Sequence, residues 1–185
     1  MKKTISGVIL LSMMLGLLML FPLIAGLMGQ NTRSIEVNIP SVSQPFLKKE
    51  HSPAVLLYFG YVGCTTVCIP ALNTMAPMYT RLQQQYPSLG FYFVNLNPTQ
   101  PSDWPQSFAK SFHPDFHGVY ATKTEVEQLE RDFNLAVTAN DQDIGHSSNL
   151  YLMIKENDHY TLKHIYNTHP YDEYQIKQDL QRLVA

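Results

Sequence analysis

The strongest constraint on this chain lies in its first 29 residues, because from Thr4 to Gly29 no side chain carries a charge and the run is apolar for about 25 residues. At a helical rise of about 1.5 Å per residue, such a run suffices to cross a hydrocarbon core of about 30 Å. A cleavable secretory signal has an apolar region of only about 7–15 residues, so the longer run here predicts an uncleaved signal anchor, a transmembrane helix over residues 1–29. The alternative is a cleaved signal ending near Ala25 or Gly29, which places the same domain in the same compartment. Lys2 and Lys3 precede the run, and the positive-inside rule keeps them in the cytoplasm. The expected location is a bacterial inner membrane, crossed once, with the C-terminal domain in the periplasm or extracytoplasmic space.

The remainder fits one domain large enough to build its own core. Setting Lys2 and Lys3 aside leaves 11 of the 13 basic residues against 15 acidic ones, a formal charge of −4 with His neutral. That balance does not suit nucleic acid or anionic lipid. Only two cysteines occur, both beyond the apolar run, which excludes a scaffold of several disulfides and indicates one local site.

Residues 30–50 are polar, include Pro40 and Pro45, and show no sustained periodicity, as expected of a tether and domain entry. Residues 51–185 then read as the folded domain. The continuous apolar run Ala54 to Phe59, closed by Gly60, predicts a central strand buried on both faces. A helix is expected from about Cys68–Pro70 to Tyr86, with Leu72, Met75, Met78, Tyr79 and Leu82 at helical spacing and a kink at Pro77. Phe91 to Asn95 reads as a second central strand. Pro101 to Phe112 and Lys123 to Phe133 read as helices, the latter opened by a Thr122-x-x-Glu125 capping box. Leu150–Ile154 and Tyr160–Ile165 should pair as an antiparallel hairpin, and Asp172 to Leu183 should close the chain as a helix. The order β-α-β-α-α-β-β-α predicts an α/β, thioredoxin-like fold: a central mixed sheet flanked by helices, preceded by the transmembrane helix.

The cysteines stand in Tyr58-Phe-Gly-Tyr-Val-Gly-Cys64-Thr-Thr-Val-Cys68-Ile-Pro70, directly after the first central strand and at the expected start of a helix. There the unpaired N–H groups and the macrodipole favour thiolate over thiol, which makes a better nucleophile and a better metal ligand. Gly60 and Gly63 permit the sharp strand-to-helix turn. A separation of four residues places both side chains on one helical face, near enough to form a disulfide or to grip one small ion. Both outcomes are open from spacing alone, although redox motifs of this fold normally have two intervening residues, which shifts weight toward metal.

The segment Tyr58 to Cys68 resembles the Sco/SenC family signature Y-F-G-Y-T-x-C-P-x-V-C-P. Phe112-His-Pro-Asp-Phe-His-Gly118 is similar to a family segment F-x-P-x-F-x-G, and Gly145-His146-Ser147, leading into the strand at Leu150, is similar to the family's D-H-S/T. The resemblance implies that Cys64, Cys68 and His146 bind copper, as Cu(I) and also Cu(II). It implies a metallochaperone for the copper site of cytochrome c oxidase, with a membrane or envelope protein, such as an oxidase subunit, as the receiving partner. Two soft thiolates and an imidazole suit Cu(I), whereas structural zinc generally wants four protein ligands. The loop Asp141–Asn149 contains no proline, so His146 takes the place that a thioredoxin reserves for a cis-proline.

Several positions depart from the family pattern. Thr65 and Ile69 stand where prolines usually follow the cysteines, Asn97-Pro98 replaces an Asp-Pro, and Gly145 replaces the Asp before the histidine, while Asp143 is placed to compensate for one lost carboxylate. Carboxylates behind a ligating histidine orient it, so the metal triad is expected to persist with altered affinity, redox poise or partner. Two other readings stay open. One is a membrane-anchored thiol–disulfide oxidoreductase with a redox-active Cys64–Cys68 pair, Cys64 attacking, that reduces the cysteines of a copper-site partner. The other is a copper or redox sensor. A peroxidase lacks the expected threonine and arginine around its cysteine. His113 and His117 read as loop or surface residues, His159, His164 and His169 alternate sheet faces, and Met75 and Met78 read as core.

Overall fold

The computed structural model describes residues 12–17, 20, 34–40, 44–135, 138–140, 143–145 and 148–184, with only the backbone described at 138–140 and 143–145. By its internal contacts the chain divides into Met1–Arg33 and Ser34–Ala185. In the first unit residues 12–17 are helical, and Met13, Met14, Leu15, Leu17 and Leu20 are exposed. Among the described residues no helix is long and apolar enough to cross a membrane.

The second unit contains eight described strands: β1 (Ser34–Ile39), β2 (Ala54–Gly60), β3 (Leu89–Asn95), β4 (His117–Tyr120), β5 (Thr138–Asn140), β6 (Asp143–Gly145), β7 (Leu150–Glu156) and β8 (His159–Tyr166). Its helices are α1 (Cys68–Gln85), α2 (Trp104–Lys110), α3 (Lys123–Phe133) and α4 (Glu173–Val184). Six strands form one sheet in the order β1-β8-β7-β2-β3-β4, and β5 and β6 pair separately. β2, β3 and β4 run parallel, while β7, β8 and β1 are antiparallel additions. This is the mixed thioredoxin-like sheet that the element order predicts.

All seven residues of β2 and all seven of β3 are buried, which is why both sequences are apolar without alternation. Their side chains nevertheless divide by parity. Ala54, Leu56, Tyr58, Phe91 and Phe93 face α1 and α4, packing on Leu72, Met75, Ile176 and Leu180. Val55, Leu57, Phe59, Tyr92 and Val94 face α3, packing on Val126, Leu129 and Phe133. Met75 and Met78 are core residues, exposed by 0% and 4%.

α1 continues through Pro77, whose ring nitrogen forgoes one rung of the helical ladder. α3 spans the predicted residues, and its Thr122–Glu125 capping box is formed in both directions. The predicted helix Pro101–Phe112 contracts to Trp104–Lys110, because turns occupy both of its ends. Two edge strands were not expected. β1 lies inside the span read as a tether and pairs with β8. β4 begins at His117, read as a loop or surface residue, and pairs with β3.

Candidate metal centre

β2 delivers the chain to the cysteines at its carboxyl end. Gly60 is required there, since a Cβ would stand 2.7 Å from the Cys68 sulfur and 3.0 Å from the Phe93 ring. Gly63 adopts φ +88°, a conformation that side-chain-bearing residues rarely take. Between them the loop is clamped from β3. The Leu96 N–H donates to the Gly60 carbonyl at 2.7 Å, and the Val62 N–H donates to buried Asn95 Oδ1 at 3.2 Å. Gln100 Nε2 donates to the Val62 carbonyl at 2.8 Å, so both backbone groups of Val62 are held by side chains.

α1 begins at Cys68 without a side-chain cap from Val67. The Cys64 sulfur takes part of that role by accepting the Cys68 N–H at 3.4 Å. The Cys64 carbonyl accepts the Ile69 N–H at 3.1 Å, which folds the intervening turn so that both sulfurs face each other. The two cysteines are thiols, not joined in a disulfide.

The pair is electrostatically unequal. Burial pushes the Cys64 thiol up, but the Cys68 N–H, the Cys68 thiol, the Val67 N–H and Tyr61 all favour its thiolate and together hold it below the ordinary 9.0. Cys68 is pushed up to about 12, first by burial and then by donating its own hydrogen to Cys64 and lying beside the Cys64 charge. Cys64 is therefore the more readily ionised thiol of the pair, and Cys68 the deeper one. Two adjacent soft sulfurs fit a soft monovalent cation.

The loop entering β7 reaches the same end of the sheet, because Leu150 pairs with Tyr58 and Ser148 Oγ lies 3.2 Å from the Tyr58 hydroxyl. His146 lies outside the described residues, as do Ser147 and the side chain of Asp143. Among the described residues no group of three metal-ligating side chains forms. Asn97, which stands where the family pattern has aspartate, spends its side-chain oxygen on the Thr99 N–H at 3.1 Å and hydroxyl at 2.7 Å.

The other histidines take separate places. His113 bonds Thr80 at 3.1 Å, and the His117 ring stacks on Tyr92. His159 is exposed, His164 is buried beside Asp179 and Arg182, and His169 lies beyond the strand near Thr74. Sequence reasoning missed Tyr58, Asn95, Gln100, Ser148 and Tyr171 as residues of the site. A tyrosine in a fully buried strand is a signal in itself, since its hydroxyl needs a partner.

The SCO1/SenC family profile matches residues 48–185. A SCO2-like protein of Rickettsia felis is 30% identical over 121 residues, covering 60% of this chain and 57% of the relative. The chain thus spans a little over half the length of that curated relative. Among solved structures, copper-bound ScoI of Arabidopsis thaliana superposes with a TM-score of 0.65 at 16% identity, covering 81% of this chain and 98% of that one. BsSco, a member of the Sco family of cytochrome c oxidase assembly proteins in which a disulfide switch was identified, superposes at 0.57 and 18% identity, covering 80% and 91%. With three quarters of its length matched by the family profile, and the paired cysteines at the turn from β2 into α1, this chain belongs to the SCO1/SenC family.

Proposed function

We propose that this protein is a membrane-tethered copper metallochaperone that holds copper through Cys64, Cys68 and His146 and passes it by ligand exchange to a copper site of a respiratory oxidase. The observation that carries the reading is the pair of facing thiols at the start of α1, one of them held below its ordinary pKa. Cu(I) is the cargo that two thiolates and an imidazole suit best, with Cu(II) as a second state. The copper-bound relatives and the oxidase-assembly description of BsSco point the same way. Residues 1–29 serve as the signal anchor, residues 30–50 lead into the domain, and residues 51–185 carry the copper site on the extracytoplasmic side of a bacterial inner membrane.

The test is an anaerobic Cu(I) titration of the reduced full chain in detergent, competed against a chelator of known affinity. Wild type should take up one copper. His146→Ala should weaken binding by more than the roughly tenfold that loss of a group merely supporting a ligand costs, while leaving disulfide exchange intact. Cys64→Ser should abolish both. Copper bound by His146→Ala as tightly as by wild type would show the ligand set to be wrong.

A second reading, a thiol–disulfide oxidoreductase that keeps a partner's copper-site cysteines reduced, is favoured by the inequality of the thiols. An attacking sulfur with a lowered pKa beside a protonated resolving one is what exchange requires. Rapid reduction of a disulfide substrate without copper uptake would select it.

A further inference from the structure

Beneath the cysteine pair lie three hydroxyls that neither ligand binding nor exchange has yet used. Tyr58 is fully buried in the middle of the sheet, and its hydroxyl lies 3.2 Å from Ser148 Oγ and in hydrogen-bond contact with the Cys68 sulfur. Tyr171, 8% exposed, donates its hydroxyl to the Ser148 carbonyl at 3.0 Å and lies 3.4 Å from Ser148 Oγ. Ser148 is thus gripped through both backbone and side chain by two buried tyrosines, one of which also touches Cys68. Ser148 follows His146 by two residues, which limits their Cα separation to about 7 Å by chain geometry alone.

We infer that Tyr58, Ser148 and Tyr171 form a hydroxyl relay that positions the inner sulfur and ties it to Ser148 at the entry to β7, making Tyr58 a positioning residue of the copper site. The copper part of this inference rests on the ligand reading above; the relay itself does not. Gly60 brings the Cys68 sulfur onto bare backbone, where the Cys64 sulfur, the Tyr61 N–H and the Tyr58 hydroxyl are its hydrogen-bond partners. The Tyr58 hydroxyl donates to that buried sulfur, and bulk solvent does not reach it to replace a lost partner. Ser148 keeps that hydroxyl aimed, and Tyr171 keeps Ser148 in place.

The experiment compares Tyr58→Phe, Tyr171→Phe and, as control, Tyr79→Phe in the full chain. Tyr79 is equally buried, but its hydroxyl is spent on the Leu89 carbonyl, away from the cysteines. Two quantities are measured: Cu(I) affinity by chelator competition, and the reduction potential of the cysteine pair against glutathione. Tyr58→Phe should weaken copper binding about tenfold and destabilise the reduced pair by a similar factor, moving the potential about 30 mV more negative. Tyr171→Phe should move both in the same direction by less. Tyr79→Phe should lower stability and leave both unchanged. Wild-type affinity and potential in Tyr58→Phe, or equal shifts in Tyr79→Phe, would overturn the relay. If wild type itself takes up no copper, the ligand reading fails, and the potential, which needs no metal, still decides the relay.

Discussion

The chemistry of this protein turns on a difference between two residues of the same type. Cys64 and Cys68 are four positions apart and both buried, yet one accepts a helix N–H and the other lies deeper, against Gly60 and Tyr58. The lowered pKa of Cys64 means that its thiolate fraction rises at lower pH than that of an ordinary cysteine. Cys68, pushed up to about 12, stays protonated throughout the neutral and mildly alkaline range. Iodoacetamide labelling of the reduced chain, followed by peptide mass spectrometry between pH 6 and pH 9, should therefore modify Cys64 first and leave Cys68 largely intact, with the window of about three pH units set by ordinary thiol titration. Labelling at equal rates would contradict the assigned inequality. Spacing alone could not have shown this, because the motif is nearly symmetric in sequence and the asymmetry comes from depth.

At the scale of elements, two helices of the domain, α1 and α3, begin in different ways. α3 has a complete capping box, with the Glu125 N–H donating to Thr122 Oγ1 at 3.4 Å and the Thr122 N–H to Glu125 Oε2 at 2.8 Å. Thr122→Ala should cost about 1 kcal/mol in denaturant unfolding with copper affinity unchanged. α1 has no such cap, and a cysteine sulfur answers part of its need. α1, α3 and the β7–β8 hairpin were legible because their apolar periods are long and clean. β1 and β4 were not. β1 exposes Ile35 and Ile39, so its alternation does not mark a buried face, and β4 is too short for a period to declare itself. Both are edge strands whose hydrogen bonds depend on a neighbour already in place.

Across the whole molecule, the end of the sheet opposite the cysteines is fastened by Glu50. Its carboxylate accepts the Tyr92 hydroxyl from β3 and the N–H groups of His51 and Ser52 at 2.7 and 2.8 Å, while its carbonyl accepts Lys155 Nζ from β7 at 2.9 Å. Burial pushes this carboxyl up, but the bonds from Tyr92, Ser52 and His51 outweigh it and bring the pKa from 4.5 down to about 2. Because the folded value is the lower one, the stabilisation is fully present above about pH 4.5 and is lost as pH falls through the folded value near 2. Urea midpoints measured between pH 5 and pH 3 should fall, and Glu50→Gln should flatten that fall while lowering stability at pH 7. A variant with the wild-type slope would remove Glu50 from this role. The fastening joins the domain entry to two strands distant in sequence and keeps the frame rigid behind the site.

The sequence by itself determined the period of each central element, the apolar run at the start, the placement of two cysteines at a strand-to-helix turn and the family signature around them. These are local properties, carried by neighbours along the chain. Only the tertiary structure decided which strands close the sheet's edges, that Asn95 and Gln100 clamp the cysteine loop, that Cys64 and Cys68 ionise differently, and that Tyr58 and Tyr171 converge on Ser148. The edges, the clamp and the tyrosine contacts depend on partners tens of residues away, and the thiol inequality depends on how deeply each sulfur is buried, which no window of sequence states.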